Sequence, residues 1–166
     1  MSNTNRGKDF EAVVKEGIEK TGTYVLRLYD PQGGYASVAN PCDFIAFRNH
    51  KMFMIECKSL HGNTFSIYSN DPKKKYGKVS NTQWEGLLEA SKKGVVAGVL
   101  IWWIDADVTK FVPIQTLQNI RDKGAKSIRY DADLPWQSFI DIEGSKKRVY
   151  FDYDFEKFFN FFEKGY

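Results

Sequence analysis

The chain of 166 residues has the length of one domain, and we expect a single domain over residues 1–166. Apolar residues make up 42% of the chain and charged residues 27%, and the longest apolar run, over 95–104, is far shorter than the roughly 20 residues that a membrane-spanning helix needs. Residues 1–130 contain 19 Lys and Arg against 13 Asp and Glu, whereas residues 131–166 contain 5 against 8, so an anionic partner is expected at the first part.

The N-terminus and the cysteines indicate a cytoplasmic protein that is neither secreted nor bound to a membrane. The N-terminus lacks the apolar stretch of a signal peptide. Cys42 and Cys57 form no framework of paired cysteines, which is typical of a reducing compartment. Because His50 and His61 stand at no usual zinc spacing from them, any bound metal is expected on carboxylates.

The first elements of the chain are predicted from apolar periodicity and from turn-forming residues. They are a helix over 5–21, a strand over 24–29, a loop over 30–41 and strands over 43–47 and 52–59. Thr4 or Asn5 is the expected cap of the helix. Only four residues separate the last two strands, which predicts a β-hairpin.

The second half of the chain alternates helices and strands. Residues 60–79 are polar and predict no element, and 124–148 show no clear pattern. The expected helices are 80–93, with Ser80 as its cap, 114–123 and 154–163, and the expected strands are 95–104 and 109–112. The apolar, β-branched run over 95–104 is typical of a central strand buried on both faces. This order predicts an α/β protein with a central mixed β-sheet flanked by helices.

Two carboxylates and a lysine are expected to meet at the predicted hairpin. Side chains alternate along a strand, so Glu56 and Lys58 lie on one face and Cys57 on the other. Hairpin pairing then brings Asp43 beside Glu56. Two converging carboxylates repel each other, and a divalent cation that prefers oxygen ligands, Mg²⁺ above all with Mn²⁺ as a substitute, relieves that repulsion.

Such a site suits the hydrolysis of a phosphodiester. The metal polarises a phosphate oxygen and lowers the pKa of a bound water, while Lys58 orients or deprotonates that water and stabilises the charge that develops. Glu11 on the first helix is a candidate third metal ligand, with a solvated helix residue as the alternative. Gln83 is a candidate for holding the attacking water or the scissile phosphate, with a plain helix-surface residue as the alternative.

The motif from Asp43 to Glu56-Cys57-Lys58 resembles the PD-(D/E)xK signature of the restriction-endonuclease-like nucleases. Together with the stretch 5–11 and a helix that bears Gln83, it is similar to the Holliday junction resolvases of the RecU type. The segment 33–37 ahead of Asp43 also resembles the archaeal junction resolvases. The short connection from the first strand to Asp43 lacks the long insertion of the RecU type, which favours a compact archaeal or viral design.

This resemblance implies a restriction-endonuclease-like core and a definite set of roles. Asp43, Glu56 and Glu11 would hold the metal, and Lys58 and Gln83 would act in catalysis together with the first two carboxylates. The activity implied is that of an endodeoxyribonuclease that cuts four-way (Holliday) junctions in recombination and repair. The family works as a homodimer, whose two sites meet two symmetry-related phosphates.

The expected DNA contacts come from three parts of the chain. They are Arg6 and Lys8 on the first helix, Ser37 in the loop, and Lys73, Lys74, Lys75 and Lys78 in the polar segment. For the lysine run, a solvated loop is the alternative, and for the segment around Ser37 it is a flexible turn. Two other functions of the whole protein remain open, namely a restriction- or repair-type nuclease for duplex DNA and a non-catalytic DNA-binding modulator of recombination.

Overall fold

The computed structural model describes residues 3–29, 39–135 and 138–165, which form four helices and ten strands. The helices are α1 (Asn3–Glu19), α2 (Asn81–Lys92), α3 (Ile114–Asp122) and α4 (Glu156–Glu163). The strands are β1 (Tyr24–Arg27), β2 (Phe44–Arg48), β3 (Lys51–Leu60), β4 (Thr64–Ser66), β5 (Val96–Trp103), β6 (Val108–Pro113), β7 (Ser127–Arg129), β8 (Ile140–Asp141), β9 (Gly144–Lys146) and β10 (Phe151–Tyr153).

Six strands form a central sheet in the order β1-β2-β3-β5-β6-β8. The pair β3 and β5 runs parallel, and the other neighbouring strands run antiparallel. The predicted mixed sheet flanked by helices is therefore confirmed, as is the hairpin of β2 and β3. Two small sheets, β4 with β7 and β9 with β10, lie outside it.

Both faces of the central sheet are covered by apolar clusters. On one face, α1 and α4 pack with buried side chains such as Phe10, Phe53 and Phe158. On the other face, α2 and α3 pack through residues such as Trp84 and Leu117. Since β3 lies in the middle of the sheet, alternate residues of this strand enter opposite clusters, and a charged side chain on either face is enclosed by protein.

Several predicted boundaries were wrong, and two segments without a predicted element form strands. In the described part of the chain helix α1 begins at Asn3, so Thr4 and Asn5 lie inside it rather than capping it. The first strand ends at Arg27 instead of residue 29. The segments 60–79 and 124–148 supply β4 and β7, which pair with each other across more than sixty residues of chain, and no local pattern shows such a pairing. No helix of the described residues is both long and apolar enough to cross a membrane.

Candidate active site

The hairpin of β2 and β3 places Asp43 directly opposite Glu56. Phe44, which follows Asp43, pairs in the sheet with Ile55, which precedes Glu56. The Asp43 backbone N–H also donates to the Ile55 carbonyl at 3.1 Å. The Asp43 side chain is held as well, because its Oδ2 accepts a hydrogen bond of 2.7 Å from the backbone N–H of Cys57. The predicted approach of the two carboxyl groups is therefore observed, and backbone contacts of the sheet position it.

Glu56 is a buried carboxyl group, with 1% of its surface exposed. Its Oε1 accepts hydrogen bonds from Lys58 Nζ and from Gln83 Nε2, each at 2.7 Å. Its Oε2 is buried and has no hydrogen-bond partner among the described residues. Burial, and then the charge of Asp43, raise the pKa of Glu56 to about 8, although Lys58 opposes the rise.

The pair of carboxyl groups fits a divalent cation. Burial also raises the pKa of Asp43, so the two acids crowd each other in a site that water solvates poorly. A cation that prefers oxygen ligands would satisfy the partnerless Oε2 of Glu56 and remove the repulsion from Asp43. No group of three or more His, Cys, Asp or Glu side chains in the described part of the chain is arranged to hold a metal ion. The candidate metal ligands at this position are therefore the pair Asp43 and Glu56.

Lys58 lies on the same face of β3 as Glu56, as the alternation predicted. Its Nζ contacts Glu56 Oε1 and lies 3.4 Å from Gln83 Oε1. The side chain is partly exposed, so its ammonium group is within reach of a ligand in the adjoining cavity. Lys58 thus links the buried acid to the surface where a substrate can bind.

Gln83 belongs both to the site and to the start of α2. Ser80 caps this helix: the Ser80 Oγ accepts from the Gln83 backbone N–H at 3.2 Å, and Gln83 Oε1 accepts from the Ser80 N–H at 3.1 Å. With its oxygen held by the cap, the Gln83 amide directs its NH₂ group to Glu56. In this structure Gln83 therefore positions Glu56, and its polar groups are already engaged with protein rather than directed at a ligand.

Glu11 lies near Asp43 and is paired with a cation. It comes from α1, on the face of the sheet opposite to Glu56, and forms an ion pair with Arg27 of β1. Burial and the charge of Asp43 raise the pKa of Glu11, although Arg27 lowers it. Arg27 was not among the predicted site residues, and the one signal for it was a charged residue inside an otherwise apolar predicted strand, over 24–29.

A cavity of about 370 Å³ opens beside Lys58 and Gln83. Three of the four predicted lysines, Lys73, Lys74 and Lys78, line it, and none of the three lies within 4.0 Å of a carboxylate of the described residues. The fourth, Lys75, is not part of the lining. Its ammonium lies 3.8 Å from Glu85 and 5.5 Å from the centre of the Tyr76 ring.

The remaining predicted contacts are more scattered. The Arg6 guanidinium donates to Nε2 of His61 at 2.9 Å, a partner that the sequence analysis did not foresee. Lys8 is exposed on α1. Ser37 lies outside the described residues, so its predicted contact is not placed.

The chain is similar to known nucleases in its sequence and in its fold. The family of archaeal Holliday junction resolvases (Hjc) matches residues 2–148, whereas no curated protein sequence matches. Among solved structures, the Holliday junction resolvase Hjc of the archaeal hyperthermophile Archaeoglobus fulgidus is similar, with 20% identity, a TM-score of 0.46, and coverage of 66% of this chain and 78% of that one. A bacterial homing endonuclease, I-Ssp6803I, is 13% identical with a TM-score of 0.49, over 99% of this chain and 96% of that one.

Proposed function

The chain belongs to the archaeal Holliday junction resolvase family, and we propose that it cuts four-way DNA junctions by Mg²⁺-dependent hydrolysis, as a homodimer that makes symmetric nicks. Because the chain belongs to this family, it is a junction-resolving endodeoxyribonuclease. The family that matches is the archaeal one, so the archaeal group is favoured over the RecU type. The observation that supports the site is the buried, partnerless Oε2 of Glu56 beside Asp43 and Lys58. Action on DNA fits the expected cytoplasmic location.

Asp43 and Glu56 are the proposed metal ligands. Resolvase nucleases of this kind generally use divalent metal ions. Mg²⁺ bound here would polarise a phosphate oxygen and lower the pKa of a water, and Mn²⁺ is the expected substitute because it takes the same oxygen ligands. Glu11 is proposed as a third carboxylate of the site, because the charge of Asp43 acts on its pKa and the two acids therefore lie near each other. To contact a metal, Glu11 would have to release its ion pair with Arg27.

Lys58 and Gln83 are the proposed catalytic and positioning side chains. The Lys58 ammonium, which lies between Glu56 and the cavity, can hold the attacking water and stabilise the negative charge that develops on the phosphate. Gln83 keeps Glu56 in place through a hydrogen bond whose direction the helix cap sets. A shift of α2 would therefore disturb the acid at the centre of the site.

The lysines that line the cavity support binding of DNA in front of these residues. Lys73, Lys74 and Lys78 have no carboxylate partner among the described residues, so their charges are available to phosphates. Lys75, Arg6, Lys8 and Ser37 are proposed as further contacts along the same strand. The salt dependence of junction binding is expected to be steep for this reason.

An exposed apolar patch supports the proposed homodimer. Tyr24, Phe47 and Met52 lie in one row across β1, β2 and β3, with Leu26 beside them, and 42–66% of the surface of each is exposed. Exposed patches of this kind are typical of contacts between proteins, and symmetric nicking requires a second copy of the site. Phe47→Glu is expected to give monomers in sedimentation velocity, whereas Val149→Glu, at an exposed apolar residue outside the patch, leaves the assembly unchanged.

The proposal is tested with a labelled four-way junction, Mg²⁺ and the purified protein. The wild type is expected to make paired symmetric nicks, Asp43→Asn to bind the junction without cutting it, and Asp133→Asn, at an exposed aspartate, to cut normally. Cleavage by Asp43→Asn would refute the site assignment. Equal cutting of a linear duplex of the same sequence would refute junction selectivity, and binding without any nicks in Mg²⁺ or Mn²⁺ would refute catalysis.

A further inference from the structure

A second cavity, of about 350 Å³, lies beside the first and has an unusual polar lining. Its polar residues are Arg6, Ser59, His61, Thr64 and Lys78. Lys78 also lines the cavity at Lys58, so the two cavities adjoin at this lysine. None of the residues proposed for hydrolysis lies in the second cavity.

A chain of hydrogen bonds holds Arg6 at this cavity. A guanidinium only donates, so the contact of 2.9 Å between Arg6 and His61 requires Nε2 of the ring to accept. The ring proton then lies on Nδ1, which donates to Oδ1 of Asp105 at 2.9 Å. The other oxygen of Asp105 accepts from the backbone N–H of Gly62, so the carboxylate itself is held in place. His61 thus uses its two nitrogens to connect Arg6 to Asp105.

The charges of the cavity favour an anion. Arg6 and Lys78 have no carboxylate within 4.0 Å in the described part of the chain. The one carboxylate nearby, Asp105, points its oxygens at His61 and Gly62. Because the contact with His61 uses one of the five guanidinium donors, the other donors of Arg6 remain for a ligand, and the hydroxyls of Ser59 and Thr64 add polar groups.

The two cavities are close enough for one DNA strand to reach both, since Lys78 lines each of them. His61 follows Lys58 by three residues at the end of β3, which corresponds to about 10 Å along a strand. Phosphates of one DNA strand follow each other every ~3.4 Å along the axis of a duplex. A strand whose scissile phosphate lies at Lys58 would therefore present a phosphate within a few nucleotides of it to Arg6.

We propose that Arg6 and Lys78 bind a second backbone phosphate of the DNA strand that is cut, and that His61, held by Asp105, positions Arg6 for this contact. The inference rests on the proposed function, since it assumes a DNA strand at Lys58. It adds to that function a phosphate subsite that fixes where the strand lies relative to the carboxylates.

The first test measures junction binding in EDTA, where the metal site plays no part. Arg6→Gln and Lys78→Gln are each expected to raise Kd about tenfold and to lower the slope of log K against log salt by about one. Lys92→Gln, which removes an exposed lysine at the far end of α2, is expected to change neither quantity. An unchanged Kd and slope for Arg6→Gln would overturn the proposal.

The second test identifies the phosphate through uncharged methylphosphonates, placed one at a time within five nucleotides of the junction centre. At one position the methylphosphonate is expected to weaken junction binding by the wild type about tenfold. The same methylphosphonate should weaken binding by Arg6→Gln less than twofold, because this variant has already lost the contact between Arg6 and that phosphate. Equal losses in the two proteins at every position would overturn the subsite. Nicking by the wild type in Mg²⁺ is scored separately, so a failure of the subsite is distinguishable from a failure of the nuclease proposal.

The role of His61 has its own readout. Gln can also accept from Arg6 and donate to Asp105, so His61→Gln is expected to keep the affinity within about twofold, whereas His61→Ala is expected to lose several-fold. Thermal unfolding checks that both variants are folded. Equal affinity of the wild type and His61→Ala would remove His61 from the proposal and leave Arg6 to act alone.

Discussion

Replacing Glu56 with glutamine is expected to stabilise the metal-free protein, although it removes a proposed metal ligand. The folded protein buries this carboxyl group next to Asp43, and its pKa rises from the ordinary value of 4.5 to about 8. In the unfolded chain the group ionises at its ordinary pKa. Between these two values the folded state binds more protons than the unfolded state, so the free energy of unfolding falls as the pH rises through this window.

The size of the effect follows from that window. Each pH unit between the two pKa values costs about 1.4 kcal/mol of stability, so the cost at pH 7 is about 3 kcal/mol and at pH 5 less than about 1 kcal/mol. Glutamine carries no charge, and its amide can still accept from Lys58. For a chain of this length, about 3 kcal/mol corresponds to a rise in Tm of about 6–12 °C.

The assay is thermal unfolding in EDTA at pH 5, 6, 7 and 8, with Glu89→Gln as a control at an exposed glutamate of α2. The advantage of Glu56→Gln over the wild type is expected to grow with pH, while Glu89→Gln follows the wild type throughout. An advantage that is absent at pH 8, or that does not change with pH, would refute the reasoning that burial beside Asp43 destabilises the ionised acid. Mg²⁺ is expected to raise the Tm of the wild type at pH 8 more than that of Glu56→Gln.

Three further substitutions test other parts of the structure. Ser80→Ala removes the hydroxyl that accepts from the Gln83 backbone N–H and should cost about 1 kcal/mol in denaturant unfolding. It should also lower kcat, because a loosened first turn of α2 holds the Gln83 side chain less firmly against Glu56, and unchanged kcat would separate the cap from the site. Gly98→Ala would place a Cβ 2.4 Å from a carbonyl oxygen of β6 and is expected to cost at least about 2 kcal/mol, a loss that unchanged unfolding would disprove. Tyr153→Phe leaves the buried Thr109 hydroxyl without its 2.8 Å partner and should lower stability by about 1 kcal/mol in urea titration, with no effect on junction binding.

The central part of the site was predictable because it depends on short-range geometry. Alternation along β3 places Glu56 and Lys58 on one face whatever surrounds the strand. A connection this short, four residues as predicted and two in the structure, leaves a hairpin little choice of register, and that register sets Asp43 opposite Glu56. The cap of α2 is local as well, since Ser80 and Gln83 are three residues apart.

Other features depend on contacts between distant parts of the chain. Glu11 meets Arg27 because α1 packs on one face of the sheet and reaches the edge where β1 lies. His61 meets Asp105 across 44 positions of sequence. No periodic pattern or short spacing in the sequence indicates either pair. The charged residues were therefore visible in the sequence, but their partners were not.

Four helices, five strands, the mixed sheet and the juxtaposition of two acids and a lysine could be read from the sequence alone, because each of these follows from side-chain periodicity or from connections of a few residues. Only the tertiary structure decided how deeply Glu56 is buried and which lysines line the cavity beside Lys58. Burial and cavity shape depend on how separate elements pack against one another. The residues of the site could be named from the sequence, but the burial that raises the pKa of Glu56 and the cavity beside Lys58 arise only when the elements pack together.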